Sequence, residues 1–272
     1  MVVYYIRKKL IKIFSGDADG VISIFEERKN NDYVKVNTLS CHQKVINTIA
    51  KISDDKIVSG GSDCRVIVWK MNEFGQYYNT TPIKMDRIIT NVIALFDERI
   101  VFTCDDGIIY IYKQDDNFEK EQKEITDYIL DQTLKDKHKG MVNCLCQLNN
   151  SYIISGGAEK KVEKIKDKSL IVWRTDKDNS YVYSQTLKGH SGNITCIIQL
   201  RDGNFASSSA DHTIKIWKEK KVKDLDYISY ELAYNIEYPH GIYKMIQLED
   251  DRICAASSTF QILFWRNRSG SY

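Results

Sequence analysis

The sequence predicts an all-β fold of six repeated four-stranded units, and three observations predict it. A histidine and an acid recur 21 residues apart, as His42 with Asp63, His138 with Glu159 and His190 with Asp211. An aromatic residue closes each unit, at Phe25, Trp69, Tyr112, Trp173, Trp217 and Trp265, with successive gaps of 44, 43, 61, 44 and 48 residues. The segments between are short, rich in Val, Ile, Tyr and Thr, and bounded by Gly, Asp, Asn and Ser, which is strand and turn chemistry. A spacing that survives while the intervening residues change marks one structural unit repeated. At this period, with four strands per unit, it predicts a β-propeller of six blades in a single domain.

The units fall at about residues 1–40, 41–84, 85–135, 136–187, 188–238 and 239–272. The first, LIKIFSGDADGVISIF, keeps Asp19 six residues before Phe25 but has no His, and it opens with the strand VVYYI. The second runs CHQKVINTIAKI, SDDKIVSGGSD, CRVIVW; its run Val66–Trp69 is apolar on both faces, as suits a small sheet between two neighbours. The third, ITNVIALFDERIVFTCDDGIIYIY, keeps Asp106 six residues before Tyr112, again without His. A charged connection, 113–137, follows and is expected to hold a strand and an extended loop. The fourth unit reads KHKGMVNCLCQL, NNSYIISGGAE and, after an insertion of about eight residues, SLIVW. The fifth, GHSGNITCIIQL, RDGNFASSSAD, HTIKIW, is the most regular, and the sixth is PHGIYKMIQL, EDDRICAASST, FQILFW. After Trp265 only RNRSGSY remains, too short for a good fourth strand. That leaves about 23 strands where six complete blades need about 24. Either the last blade has an open edge, or the chain is part of a seven-bladed ring.

Composition excludes several classes of function. The 39 basic and 37 acidic residues leave a net charge of +2, with no long-range field to draw nucleic acid or an anionic membrane. The N-terminal apolar run is too short for a signal peptide, and no stretch approaches the ~20 apolar residues of a membrane span. The expected compartment is the cytoplasm, with the nucleus left open, and the seven cysteines are expected to be free thiols.

The chain resembles the WD40-repeat family along essentially its whole length. The resemblance is carried by Gly189-His190, by Ser209 and Asp211, and by IKIW at 214–217. It departs from the family in the residue after each Trp, which is Lys70, Arg174, Lys218 or Arg266 instead of Asp. The resemblance implies a hydrogen-bonded chain of Trp, Ser, His and Asp inside each blade, a structural brace and not a hydrolase triad. The expected members are His42, Asp63 and Trp69; His138, Glu159 and Trp173; His190, Ser209, Asp211 and Trp217; and His240, Ser257 and Trp265. Only the fifth unit has all four, since Gly61 and Gly157 stand at the Ser position of the second and fourth, and Thr259 replaces the acid of the sixth. No catalytic, cofactor-binding or metal-binding residue is expected. His212 reads as a surface residue, and Cys144 and Cys146 as buried thiols on one face of a strand, with no further ligands converging for a metal.

The resemblance also implies where partners bind, on the face carrying the His and Asp turns. The fifth residue after the His, or its aligned position, gives Asn47, Thr90, Asn143, Thr195 and Tyr243. The residue before the Asp gives Ala18, Ser62, Asp105, Ala158, Ala210 and Ser258. This set lacks the arginines of a phosphopeptide reader and the aromatic cage of a methyl-lysine reader. The expected function is a non-enzymatic scaffold that binds proteins or peptides, with a chain or segment pairing at the open last blade. The alternative is a substrate receptor of a ubiquitin ligase, because WRNR at 265–268 keeps the Arg of that group's docking signature. The Lys-rich stretches 160–168 and 218–223 read as solvated loops, although the first, an insertion in one repeat alone, is a reasonable place for a specific contact.

Overall fold

The computed structural model describes residues 2–7, 10–28, 32–115, 127–160, 165–221 and 227–266, with side chains from residue 12 onward. Six antiparallel sheets follow one another along the chain, one per repeat, and they are the blades of a β-propeller fold. Blade 1 is β1 (Val2–Arg7), β2 (Leu10–Gly16), β3 (Val21–Glu27) and β4 (Tyr33–Ser40). Blade 2 is β5 (Ile46–Lys51), β6 (Lys56–Gly61) and β7 (Arg65–Met71), with a fourth strand broken into β8 (Tyr77–Asn79) and β9 (Ile83–Lys84). Pro82 lies in the break, where a residue without an N–H costs the ladder nothing.

Blade 3 is β10 (Ile89–Ala94), β11 (Ile100–Cys104), β12 (Ile109–Gln114) and β13 (Tyr128–Leu134). Blade 4 is β14 (Met141–Gln147), β15 (Ile153–Ala158), β16 (Leu170–Thr175) and β17 (Tyr181–Leu187). Blade 5 is β18 (Ile194–Gln199), β19 (Phe205–Ser209), β20 (Thr213–Lys221) and β21 (Ile228–Glu237). Blade 6 has three strands among the described residues: β22 (Ile242–Gln247), β23 (Ile253–Ser257) and β24 (Ile262–Trp265). Residues 267–272, expected to be too short for a fourth strand, lie outside the described residues.

The chain divides into two compact units, Met1–Asp105 with Ile109–Thr133, and Asp106–Ile108 with Leu134–Tyr272. In both, the cores lie between consecutive blades, because successive side chains of a strand point to opposite faces. In the first unit, Phe14, Ile22 and Ile24 of blade 1 meet Ile46, Ile49, Ile67 and Trp69 of blade 2. Val58, Val66 and Val68 of blade 2 meet Ile89, Val92 and Phe102 of blade 3. The run Val66–Trp69 thus serves two cores, Val66 and Val68 facing forward along the chain order and Ile67 and Trp69 facing back. In the second unit, Cys144, Ile154, Leu170 and Val172 of blade 4 meet Ile194, Ile197, Phe205 and Trp217. Blade 5 offers Cys196, Ala206, Ile214 and Ile216 to Ile242, Met245, Ile253 and Ala255 of blade 6.

Two local devices recur. In five of the blades the turn between the second and third strands puts the residue after the acid position in left-handed backbone. Blades 1 and 3 use Gly20 and Gly107 there, each at φ 83°, while Cys64 (62°), His212 (71°) and Phe260 (61°) occupy it in blades 2, 5 and 6. His212 is therefore held by the turn. The second device is a β-bulge early in the first strand of blades 2 to 6, where the register slips around Asn47, Thr90, Asn143, Thr195 and Tyr243. A bulged residue leaves the ladder and its side chain is re-aimed.

Candidate functional site

Three blades contain a complete hydrogen-bonded brace. In blade 2 the Trp69 indole N–H donates to Ser59 Oγ at 2.9 Å, Ser59 lies 2.8 Å from His42 Nε2, and His42 Nδ1 lies 2.9 Å from Asp63. Blade 4 repeats it with Trp173, Ser155, His138 and Asp167 at 2.8, 2.7 and 2.8 Å. Blade 5 repeats it with Trp217, Ser207, His190 and Asp211 at 2.8, 2.8 and 2.9 Å. A neutral imidazole with its proton on Nδ1 satisfies each chain from end to end: indole to hydroxyl, hydroxyl to Nε2, Nδ1–H to carboxylate.

These geometries correct five of the assignments that the resemblance implied. The hydroxyl in blade 5 is Ser207, not Ser209. Trp217 pairs with Phe205 across the sheet, so its indole reaches one same-face step along β19, to Ser207; Ser209 is a further two residues on and accepts the Asp211 N–H. By the same offset Ser59 and Ser155 supply the hydroxyl in blades 2 and 4, so Gly61 and Gly157 leave no gap there. In blade 4 the acid is Asp167 from the end of the insertion, not Glu159, whose backbone N–H instead bonds Asn193 Oδ1. In blade 6 Ala255 stands at the hydroxyl position and Thr259 at the acid position, so His240 is exposed and packs edge-on against Tyr238. Ser257 bonds Thr259, and Trp265 stands edge-on to Tyr238.

The electrostatics are those of a brace. Burial alone raises the pKa of the Asp167 and Asp211 carboxyls, but hydrogen bonds from His138 and Ser169, and from His190 and Thr213, override it and hold both below the usual carboxylate range. Asp63 is held low against burial by the Gln43 N–H and His42. Burial depresses His42 more than Asp63 raises it, which keeps the imidazole neutral. The seven cysteines are free, and burial pushes the Cys146 thiol up to about 12 and those of Cys144 and Cys196 upward as well, away from reactivity.

The bulged residues named as partner contacts are largely occupied within the fold. Asn47 Nδ2 donates to Ile89 O in the next blade and to Ser62, Asn143 Nδ2 donates to Ile194 O, and Thr195 donates to Ile242 O. Thr90 bonds Thr103 within its own blade. Asp105 buries one carboxylate oxygen without a partner among the described residues, and Ser258 is half-buried. Tyr243 differs, because its blade has no following sheet among the described residues, and its ring is exposed.

Tyr243 marks the feature that spacing did not reveal, a bare interblade face. Matched registers place Ile246, Ile262 and Phe264 of blade 6 where blade 5 has Ile198, Ile214 and Ile216. Ile214 and Ile216 are 0% and 1% exposed against blade 6, whereas Ile262 and Phe264 are 68% and 54% exposed. Arg252 lies over the Phe264 ring, and Lys244 occupies the position of the buried Cys196. The edge of β24 is unpaired among the described residues, and Arg268 of the WRNR segment lies outside them.

Comparison with known proteins agrees with the repeat. The family model for the WD domain, G-beta repeat, matches residues 33–70 and 181–218, each running from a fourth strand to the residue after the next Trp. Protein DOA1 of Saccharomyces cerevisiae (strain ATCC 204508 / S288c) is 24% identical over 135 residues, which is 49% of this chain and 16% of that protein. Elongator complex protein 2 of the same organism is 38% identical over 63 residues, 21% of this chain and 8% of that protein. The matched segments thus span less than a fifth of either relative. A chain in the crystal structure of a mitotic checkpoint complex superposes with a TM-score of 0.73 at 14% identity, over 98% of this chain and 73% of that one, a likeness of fold.

Proposed function

From the premise that the chain is a WD40-repeat β-propeller protein, we propose that it is a non-enzymatic scaffold that holds protein partners in a multiprotein complex in the cytoplasm. The bare forward face of blade 6 carries this reading. The same positions form the interface to the next blade in blades 4 and 5, so the surface is built to pack against β structure. Its edge strand β24 is unpaired among the described residues, which leaves edge N–H and C=O groups for another strand. The occupant is a partner polypeptide that contributes an extended strand antiparallel to β24 and lays branched or aromatic side chains on Ile246, Ile262 and Phe264. An acidic residue on the partner answers Lys244, since burying an unpaired ammonium is costly.

The test compares proteins recovered with the endogenous-length chain and with an Ile262→Glu/Phe264→Glu variant, using Phe74→Glu, another exposed position, as control. A photo-cross-linker at position 264 maps the contact. The expected result is a tenfold or greater loss of one partner, cross-linked through a strand-like segment that protects β24 amides from hydrogen exchange when added back. Unchanged recovery with no cross-link removes the blade 6 face as the site, and absence of any stoichiometric partner removes the scaffold itself.

A further inference from the structure

Five lysines converge on one cavity of blades 4 and 5. Lys137, Lys139, Lys166, Lys168 and Lys188 line a space of about 430 Å³ together with Asp167, Ser169, Thr186 and His190. We propose that this cavity is a binding site for a ligand carrying two or more phosphate groups.

Three properties support it. The lysines are held by the braces. Lys137 and Lys139 flank His138, Lys166 and Lys168 flank Asp167, and those two centres are joined by the 2.8 Å hydrogen bond between His138 and Asp167. Lys188 stands two residues before His190, which is fixed in turn by Asp211. Lys166 and Lys168 are exposed on either side of the buried Asp167, so the insertion presents two cations from one anchor.

The charge is also uncompensated. Among the described residues, none of the five ammonium groups has a carboxylate within ion-pair distance. The one carboxylate of the lining, Asp167, is spent on His138, the Lys139 N–H and Ser169. Lys137 alone has another contact, its ammonium lying 4.4 Å from the centre of the Tyr183 ring.

Size and charge then select the ligand. The cavity falls within the range of small-molecule sites, about 300–1,000 Å³. One phosphate monoester carries roughly −1.5 to −2 at neutral pH, so two or three are needed to balance five cations. Lysines act as point charges that suit clustered phosphate oxygens, and a single carboxylate would leave most of the field unanswered.

The shared chemistry has two sources, a soluble polyphosphate or an inositol-phosphate lipid headgroup, and the experiment separates them. Tripolyphosphate is titrated into the purified chain by calorimetry, with sulfate at matched ionic strength as control. In parallel, the chain is sedimented with phosphatidylcholine vesicles with and without phosphatidylinositol bisphosphate. Binding in either arm that weakens at least tenfold in Lys166→Gln/Lys168→Gln, with the melting temperature kept, supports the site and names its source. An equal loss in Lys218→Gln/Lys220→Gln, on the other basic stretch, shows non-specific attraction and overturns it. So does equal binding of sulfate, or binding confined to a phosphoserine peptide.

Discussion

His138 reaches Asp167 across 29 residues, whereas His42 and His190 reach Asp63 and Asp211 across 21. The insertion in blade 4 thus carries its own acid to the brace and leaves the one at the regular spacing, Glu159, idle.

Asp167→Ala is expected to destabilise the protein by about 2–4 kcal/mol, because it leaves the His138 Nδ1–H and the Lys139 N–H without an acceptor. Glu159→Ala is expected to change stability by less than ~0.5 kcal/mol. Urea denaturation of both variants checks the assignment, and the reverse ranking would restore Glu159 to the brace.

Ser207→Ala is expected to cost about 1–3 kcal/mol, since it orphans both the Trp217 indole N–H and His190 Nε2 in a buried setting. Ser209→Ala removes one acceptor from the Asp211 N–H, and its cost is expected to be under ~1 kcal/mol. Equal losses in chemical denaturation would mean that the two hydroxyls share the indole.

Acid is expected to weaken the fold in two stages. His42 has a depressed pKa, so the unfolded chain takes up a proton below about pH 6.5 while the folded one resists, and stability declines from there downward. Asp167 and Asp211 are also depressed, so their contribution is complete above the ordinary carboxylate value near 4 and is lost as pH falls through the lower folded values. Denaturation midpoints at pH 7.5, 5.5 and 3.5 should fall in that order. A midpoint at pH 5.5 equal to that at 7.5 would contradict a neutral, buried His42.

The repeat was legible because side-chain alternation and turn chemistry are local, and six closing aromatics measure it out. The brace was half legible. Distance from the His locates the hydroxyl at 17 residues in all three braced blades, and distance from the Trp locates the acid at six, including Asp167. An insertion between the two landmarks makes them disagree, and the His spacing alone then points to Glu159. The bulge at Asn143 and Thr195 could be found by position, but its bond to the next blade depends on a carbonyl about 50 residues away. The lysine cavity was hidden because its members come from three segments spread over residues 137–188 in a chain whose net charge is +2. The bare face of blade 6 is invisible to composition, since Ile262 and Phe264 read like any core residues.

The bulged clasp gives the molecule a direction. Asn47, Asn143 and Thr195 each grip a carbonyl of the blade that follows. Losing the blade ahead strands a side-chain donor; losing the blade behind merely frees a carbonyl that water can satisfy. Blades 3, 5 and 6 thus each meet a side-chain donor extended from the blade before. At the same bulge in blade 6 stands Tyr243, an exposed ring where its predecessors are small and polar, shaped for something other than a copy of what came before.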